Sequence, residues 1–260
     1  MQFAKLLGLS EPARKKFFEA HGVDTQNAKK KFSERDKRWH ENLENAVFQK
    51  HMHFFDSISL WSGDEHLSFR FSDWDTSRQQ DSQLARSVGK KCYQLAKEML
   101  TDNFNVALFG NPGVGKTSLA LAMLDTLHKG HKTTMFVSTM ELALLFDQRI
   151  EYRELGTKIN AIMEAMKRVD VLLLDDFGTE GGMKKDPRPV RKDLQDALYS
   201  VANARLAKDK ESGKCIKSTI VTTNNSPRQL LMMYNDKLIS RLIPKEQDKI
   251  VSFDGLEDVR

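Results

Sequence analysis

The residues of this chain that are best suited to chemistry form a glycine-rich run ending in a lysine and a threonine. The run is Gly110-Asn111-Pro112-Gly113-Val114-Gly115-Lys116-Thr117, and it matches the pattern G-x-x-x-x-G-K-[ST] in full. Glycines let the backbone curl so that its N–H groups surround phosphate oxygens. Lys116 would neutralise the β- and γ-phosphates, and the Thr117 hydroxyl would hold Mg²⁺. The predicted nucleotide-binding residues are Gly110, Asn111, Pro112, Gly113, Val114, Gly115, Lys116, Thr117 and Ser118.

Two adjacent carboxylates follow an apolar run further along the chain. The run Val171-Leu172-Leu173-Leu174 leads into Asp175 and Asp176. In an open parallel sheet, ligands bind at the carboxyl ends of the strands. We therefore expect Asp175 to hold Mg²⁺ and Asp176 to act as the general base or to position the attacking water. The alternative is a strand end capped by acidic turn residues.

A third polar strand end and a distant arginine complete the candidate catalytic set. Asn224 follows the run Ile220-Val221-Thr222-Thr223, and its amide could reach the γ-phosphate or the water, although Asn224-Asn225-Ser226-Pro227 also has the composition of a turn. Arg241 could stabilise a transferring phosphate in trans, from a neighbouring subunit; a single arginine is more often an ordinary surface residue. The candidate catalytic residues are Asp176, Asn224, Arg241 and Lys116.

Hydrophobic periodicity indicates the elements that must position these residues. Helical spacing predicts helices over 82–100, 118–129, 140–168 and 191–209. Apolar runs predict strands over 106–109, 134–138, 171–174 and 219–222. Strands that alternate with helices predict an α/β fold with a parallel sheet covered on both faces.

The first 60 or so residues differ from the rest and predict a small helical module. They are polar and rich in helix formers, with Trp39, Leu43 and Val47 at helical spacing. Between residues 56 and 80, short aromatic pieces alternate with Ser, Gly and Asp, which is typical of a linker. We place the domain boundary near residue 65. A basic run over 184–192 either grips a nucleic-acid backbone or is a solvated loop.

The composition excludes several classes of protein. Of the 260 residues, 40% are hydrophobic and 30% are charged, so the chain can bury a core and wholesale disorder is excluded. Two distant cysteines support neither a disulfide framework nor a cysteine zinc site. No apolar run approaches the roughly 18–20 residues of a membrane span, and the net charge of +5 is compatible with a polyanionic partner. We expect a cytoplasmic protein without a membrane segment.

Taken in order, the motifs resemble the DnaC/DnaI/IstB branch of the AAA+ ATPases over about residues 66–260. The segments that carry the resemblance are 110–117, 173–178, 221–224 and 239–242. The resemblance implies an ASCE P-loop core with a Walker A motif, a Walker B motif, a sensor 1, an arginine finger and a sensor-2-like contact. These roles fall in turn on Lys116 and Thr117, on Asp175 and Asp176, on Asn224, on Arg241 and on Arg260.

The same resemblance implies the domain organisation. A helical partner-binding domain would cover residues 1–65, and an ATPase domain would cover 66–260 without a C-terminal helical lid. In relatives, the insert corresponding to 140–168 helps to bind single-stranded DNA. Many AAA+ enzymes end Walker B in Asp-Glu, so the shorter Asp176 is expected to slow hydrolysis, although the DnaI and IstB relatives have the same pair of aspartates.

Three functions are compatible with this resemblance. The first, which the separate N-terminal module favours, is a replicative helicase loader that uses ATP and Mg²⁺. Such a loader would form an AAA+ oligomer on single-stranded DNA and bind a DnaB-type helicase through residues 1–65. The second is an IstB-like transposition ATPase that acts with a transposase on duplex DNA. The third is a nucleotide-switched adaptor in which ATP binding matters and turnover is incidental.

Overall fold

The fold is built on a five-stranded parallel sheet. The structure, a computed structural model, describes residues 25–63, 66–182 and 187–259, and the side chains of 25–32 lie outside that description. The strands are β1 (Val106–Phe109), β2 (Thr134–Ser138), β3 (Val171–Asp175), β4 (Ser218–Thr223) and β5 (Ile250–Ser252). They pair in the order β2-β3-β4-β1-β5, and every pairing is parallel. The strands that lead into Asp176, Asn224 and Gly110 are therefore neighbours.

Helices cover both faces of this sheet. The helices within the described residues are α1 (Thr25–Ile58), α2 (Ser82–Glu98), α3 (Lys116–Lys129), α4 (Thr139–Gln148), α5 (Leu155–Arg168), α6 (Lys192–Arg205), α7 (Pro227–Met233) and α8 (Asp236–Leu242). Of these, α2 to α8 pack on the sheet. Because side chains alternate along a strand, Val171 and Leu173 pack with α2 and α3. Leu172 and Leu174 pack on the other face with α4 to α8. The predicted α/β class, with a parallel sheet covered on both faces, is confirmed.

Polar side chains at the carboxyl edge of the sheet start the helices that follow it. The Ser138 side chain accepts a hydrogen bond from the Glu141 N–H at the start of α4. Ser226 and Gln229 form a reciprocal capping box at the start of α7, where Pro227 occupies the first helical position. Such caps satisfy N–H groups that the helix itself leaves without partners. They fix the points at which the chain turns away from the candidate site.

The predicted helical stretch over 140–168 consists of two helices, α4 and α5, separated by a turn over 149–154. A single helix of that length would extend about 44 Å, far beyond a five-residue strand of about 17 Å. The turn lets both halves bury apolar side chains in one cluster, Phe146 from α4 and Ile159 from α5.

The helix predicted over 191–209 ends early, at Arg205. Residues beyond it form a short turn in which Lys208 and Cys215 make an antiparallel bridge and the Asp209 N–H donates to the Lys214 carbonyl at 2.8 Å. Arg205, the last residue of this helix, is 3% exposed, and its guanidinium donates to the Asp170 and Ser218 carbonyls beside the sheet.

By internal contacts the chain divides into Met1–Lys50 and His51–Arg260, so the division falls before the expected boundary near residue 65. The second unit starts earlier because residues after Lys50 pack on β2. Phe55 is buried, the Leu60 N–H donates to the Phe136 carbonyl at 3.0 Å, and Trp61 stacks on the Phe136 ring at 4.3 Å. Across the described ranges, no helix is both long enough and apolar enough to cross a membrane.

Candidate nucleotide-binding site

The glycine-rich run forms the loop between β1 and α3. Gly113 has φ +79° and Gly115 has φ +89°, values that favour glycine over residues with a side chain. Gly115 caps α3, and a Cβ placed on it would lie 2.6 Å from the Trp74 ring. The predicted residues from Gly110 to Ser118 thus lie in this loop and in the first turn of α3, with the helix N-terminus behind them. This is the geometry that suits phosphate binding.

Lys116 connects the loop to the end of β4. Its side chain is 4% exposed, and its Nζ donates to the Asn111 carbonyl at 2.7 Å and to Asn224 Oδ1 at 2.6 Å. The chain bends at Asn224 and Asn225, as the alternative turn role predicted, and Ser226 and Pro227 start α7. The Asn224 side chain points to Lys116.

Asp175 lies at the end of β3 and accepts hydrogen bonds from two threonines. Thr117 Oγ1 donates to its Oδ1 at 2.9 Å, and Thr222 Oγ1 donates to the same atom at 2.7 Å. Burial raises the pKa of Asp175 to about 6, and the nearby Asp176 adds to the rise, whereas the two hydroxyls and Lys116 lower it. A bound cation would favour the charged carboxylate.

Asp176 is held in an uncommon backbone conformation. Its φ is +53°, its N–H donates to Thr222 Oγ1 at 2.9 Å, and its Oδ1 accepts a hydrogen bond from Asn224 Nδ2 at 3.1 Å. Asparagine and aspartate tolerate the left-handed region better than other residues with side chains. Asn224 therefore joins Lys116 and Asp176 in one hydrogen-bonded chain.

Arg241 lies apart from this cluster. Its carbonyl oxygen accepts a hydrogen bond from Asn105 Nδ2 at 2.7 Å, and Asn105 immediately precedes β1. The phosphate loop follows β1 at its other end, about 13 Å away for a four-residue strand. The Arg241 guanidinium lies over the Tyr199 ring at 4.6 Å and donates to Asn203 Oδ1 at 3.1 Å. The structure does not bring Arg241 to the phosphate loop of its own chain, and its action in trans stays a prediction.

A cavity of about 300 Å³ opens beside the phosphate loop. The segment before α2 forms its outer wall, and its lining residues include Phe69, Asp73, Trp74, Arg78 and Gln79. Trp74 itself is fixed in the protein: its Nε1 donates to the Ala85 carbonyl at 3.0 Å. A Cβ placed on Gly89 would lie 2.8 Å from the Trp74 ring, so the ring packs closely on the backbone of α2. Its position is that of a packing residue that shapes the cavity.

Sequence reasoning missed two parts of the site. Thr222 was placed in a strand, yet its hydroxyl contacts both Asp175 and Asp176; a polar residue inside an apolar strand was the available signal. Asp258 and Val259 come from beyond β5, and Val259 lines the cavity. The predicted sensor-2-like residue Arg260 lies outside the described residues, as do Lys184 and Lys185 of the basic run.

Two comparisons found known proteins that are similar to this chain. The uncharacterized protein YdaV of Escherichia coli strain K12 is 23% identical over 177 residues, which are 68% of this chain and 62% of YdaV. A solved DNA replication initiation factor is 23% identical, with coverage of 64% of this chain and 46% of that chain and a TM-score of 0.45. The crystal structure of DnaI is 18% identical, with coverage of 74% and 90% and a TM-score of 0.47. The chain thus spans less than two thirds of YdaV and of the initiation factor.

A family model described as IstB-like ATP binding protein matches residues 69–243. The match contains the phosphate loop, both aspartates after β3, Asn224 and Arg241. It covers more than half of the chain. The protein therefore belongs to the family of IstB-like ATP binding proteins.

Proposed function

We propose that this protein is an ATPase that hydrolyses ATP at the loop between β1 and α3. One observation carries the proposal: the hydrogen-bonded chain from Lys116 through Asn224 to Asp176, with distances of 2.6 and 3.1 Å. It joins a cation suited to phosphate oxygens, an amide and a carboxylate suited to water. Binding alone would require the lysine but not the carboxylate.

Each residue in this chain would have one task in hydrolysis. Lys116 would neutralise charge on the β- and γ-phosphates. Asp176 would accept a proton from a water whose oxygen attacks the γ-phosphorus, while the bond from that phosphorus to the β–γ bridging oxygen breaks and ADP leaves. Asn224 would keep the Asp176 carboxylate in place during attack.

Thr117 and Asp175 would hold Mg²⁺, which supplies charge neutralisation at the phosphate oxygens. Their hydroxyl and carboxylate oxygens lie 2.9 Å apart and are hard oxygen donors of the kind that Mg²⁺ prefers. No group of three or more His, Cys, Asp or Glu residues that could hold a metal occurs in the described part of the chain. A magnesium ion bound mainly by substrate phosphates and water is consistent with that donor set, because Mg²⁺ often takes only one or two protein carboxylates.

We further propose that ATP turnover serves to load a DnaB-type replicative helicase on single-stranded DNA, with self-association of the ATPase domain. Support comes from the motif resemblance and from α1, whose exposed face carries large apolar side chains. Trp39, Leu43 and Val47, spaced four residues apart, are 61%, 48% and 47% exposed. An exposed apolar stripe on a helix is typical of a protein-binding surface.

The second candidate is an IstB-like transposition ATPase that acts with a transposase on duplex DNA. The observation in its favour is the family model, which is the IstB-like one. Both candidates require the same nucleotide site. They differ in the DNA and in the protein partner.

The test is the ATPase rate of the full chain alone, with single-stranded DNA, with duplex DNA, and with a DnaB-type helicase. Stimulation by single strands together with a stable helicase complex is the expected result. Stimulation by duplex DNA alone, without a helicase complex, would replace the loader with the transposition ATPase. No turnover under any of these conditions would contradict the ATPase itself.

Replacing Trp39 and Leu43 by serine in the full chain tests the role of α1. We expect the variant to lose capture of the helicase, because the two exposed side chains would contribute apolar contact area. It should keep ATP binding, because neither side chain belongs to the nucleotide site. The matched control is Ile150→Ser, since Ile150 is 72% exposed outside α1. Equal helicase capture by the wild type and the double variant would show that α1 is not the docking surface.

A further inference from the structure

The side chain of Asp258 lies directly on the phosphate loop. A Cβ placed on Gly113 would fall 2.0 Å from Asp258 Oδ1 and 2.4 Å from its Oδ2. The carboxylate therefore fills the space that any side chain at Gly113 would take. Gly113 has φ +79° and belongs to the loop whose N–H groups are suited to anions.

The segment that carries Asp258 is held in place from two sides. Gln79 exchanges two hydrogen bonds with the backbone of Glu257: the Glu257 N–H donates to Gln79 Oε1 at 2.8 Å, and Gln79 Nε2 donates to the Glu257 carbonyl at 2.9 Å. On the other side, the Val259 N–H donates to the Gly113 carbonyl at 3.3 Å, and Arg78 donates to the Val259 carbonyl. These contacts tie the segment to the wall of the cavity and to the loop.

We propose that Asp258 belongs to the nucleotide site and competes with the nucleotide phosphates for the phosphate loop. A carboxylate and a phosphate are both anions, so a loop that favours one favours the other, and the two repel each other when both are close. ATP would therefore bind more tightly once the segment 257–259 has left Gly113. Asp258 sets the nucleotide affinity, as an internal anion that competes for the loop.

This inference rests on the nucleotide site described above and is tested by nucleotide affinity rather than by turnover. The experiment measures the Kd of a fluorescent ATP analogue for wild-type protein and for Asp258→Asn at low salt. Because Asp258 is exposed to solvent, the expected gain is moderate, about threefold to tenfold tighter binding. Raising the salt concentration should shrink the gain, because salt screens charges at the surface.

The matched control is Glu257→Gln, which removes the same charge one residue earlier and keeps the backbone contacts with Gln79. Its Kd should stay within about twofold of wild type. Equal gains in both variants would reduce the effect to net charge and overturn the proposal. Weaker binding by Asp258→Asn would overturn it as well, since Asp258 would then be a ligand of the nucleotide.

A second measurement follows the segment directly. Hydrogen exchange at the Glu257 and Val259 amides should speed up when ATP is added, because their acceptors on Gln79 and Gly113 are lost. Unchanged or slower exchange would contradict displacement. Absence of nucleotide binding by the wild type itself would instead contradict the proposed function, so failures of the two proposals are distinguishable.

Discussion

Asn224 is the residue at which the two halves of the candidate site meet. Its side chain accepts a hydrogen bond from Lys116 and donates one to Asp176. An amide can do both at once because it carries an acceptor oxygen and a donor nitrogen. The Asn111 carbonyl and Asn224 Oδ1 accept hydrogen bonds from the Lys116 ammonium. In the proposed function, phosphate oxygens would replace them as acceptors when ATP binds.

The Lys116→Ala variant should lose nucleotide affinity. Removal of a charge-assisted contact costs about 1.5–3 kcal/mol, which corresponds to roughly tenfold to a hundredfold weaker binding. The measurement is the Kd for ATP, with Lys129→Ala as control, since Lys129 lies at the far end of the same helix and pairs with Asp125. Wild-type affinity in Lys116→Ala would show that the loop is not the phosphate site.

At the residue scale, the sequence was sufficient for groups that belong to a fixed pattern. Lys116 and Thr117 have fixed positions in the glycine-rich motif, and Asp175 follows directly after an apolar run that predicts a strand. The contacts of Thr222 and Asp258 do not follow from such a pattern, because they depend on strand order and on the path of the chain after β5. These contacts are long-range and leave no periodic trace in the sequence.

Arg205 shows how one side chain fixes several elements together. It extends from the end of α6 into the amino edge of the sheet, where it is 3% exposed. Its guanidinium donates to the carbonyl oxygens of Met166, Val169, Asp170 and Ser218 and to the Thr219 hydroxyl. The end of α5 and the starts of β3 and β4 are thereby tied to α6. Burial lowers the pKa of Arg205 to about 9, against the opposite effect of Asp170.

Replacing Arg205 by methionine should destabilise the fold. The variant keeps much of the volume but leaves buried carbonyl groups without donors, at a cost of about 2–4 kcal/mol in the free energy of unfolding. Denaturant unfolding of the full chain measures this. The control is Lys192→Ala, at the exposed start of the same helix, which should change the unfolding midpoint little. An equally small change in Arg205→Met would show that the Arg205 hydrogen bonds do not stabilise the packing of α5 and α6 on the sheet.

At the element scale, the strands were easier to predict than the helices. β1 and β2 have the predicted bounds, because apolar runs end where the buried sheet ends. β3 is one residue longer than predicted, and β4 is one residue longer at each end. The break between α4 and α5 has no proline to mark it, so periodicity alone continued through it. The short helices α7 and α8 were not predicted, although the Ser226 to Gln229 capping box was a readable signal for the first.

At the scale of the whole molecule, Arg241 is too far from its own phosphate loop to act there. Arg241→Ala should therefore leave the ATP affinity of the monomer unchanged and remove the rise of specific ATPase rate with protein concentration. Arg228→Ala is the matched control, since Arg228 is an exposed arginine on α7. A rate that rises with concentration equally in wild type and Arg241→Ala would exclude an arginine finger at this position.

The order of motifs along the chain was enough to predict the fold class, because a phosphate loop after the first strand and acidic residues after a later one require a parallel sheet. In the sheet, β4 lies between the strands that lead into these two motifs, which brings Asn224 to the site. The division of the chain at Lys50 was not predictable from composition. Phe55 and Leu60 lie in the polar N-terminal part of the sequence yet pack with the sheet.

The most direct test of the proposed ATPase is to measure ATP binding and ATP turnover side by side in wild type and Asp176→Asn. Asparagine tolerates the left-handed backbone at this position but does not accept a proton as a carboxylate does. We expect the variant to bind ATP as tightly as wild type and to hydrolyse it at about one hundredth of the wild-type rate, or more slowly still. Asp254→Asn, an exposed carboxylate after β5, serves as control and should turn over ATP normally. Turnover at the wild-type rate in Asp176→Asn would contradict the assignment of the site.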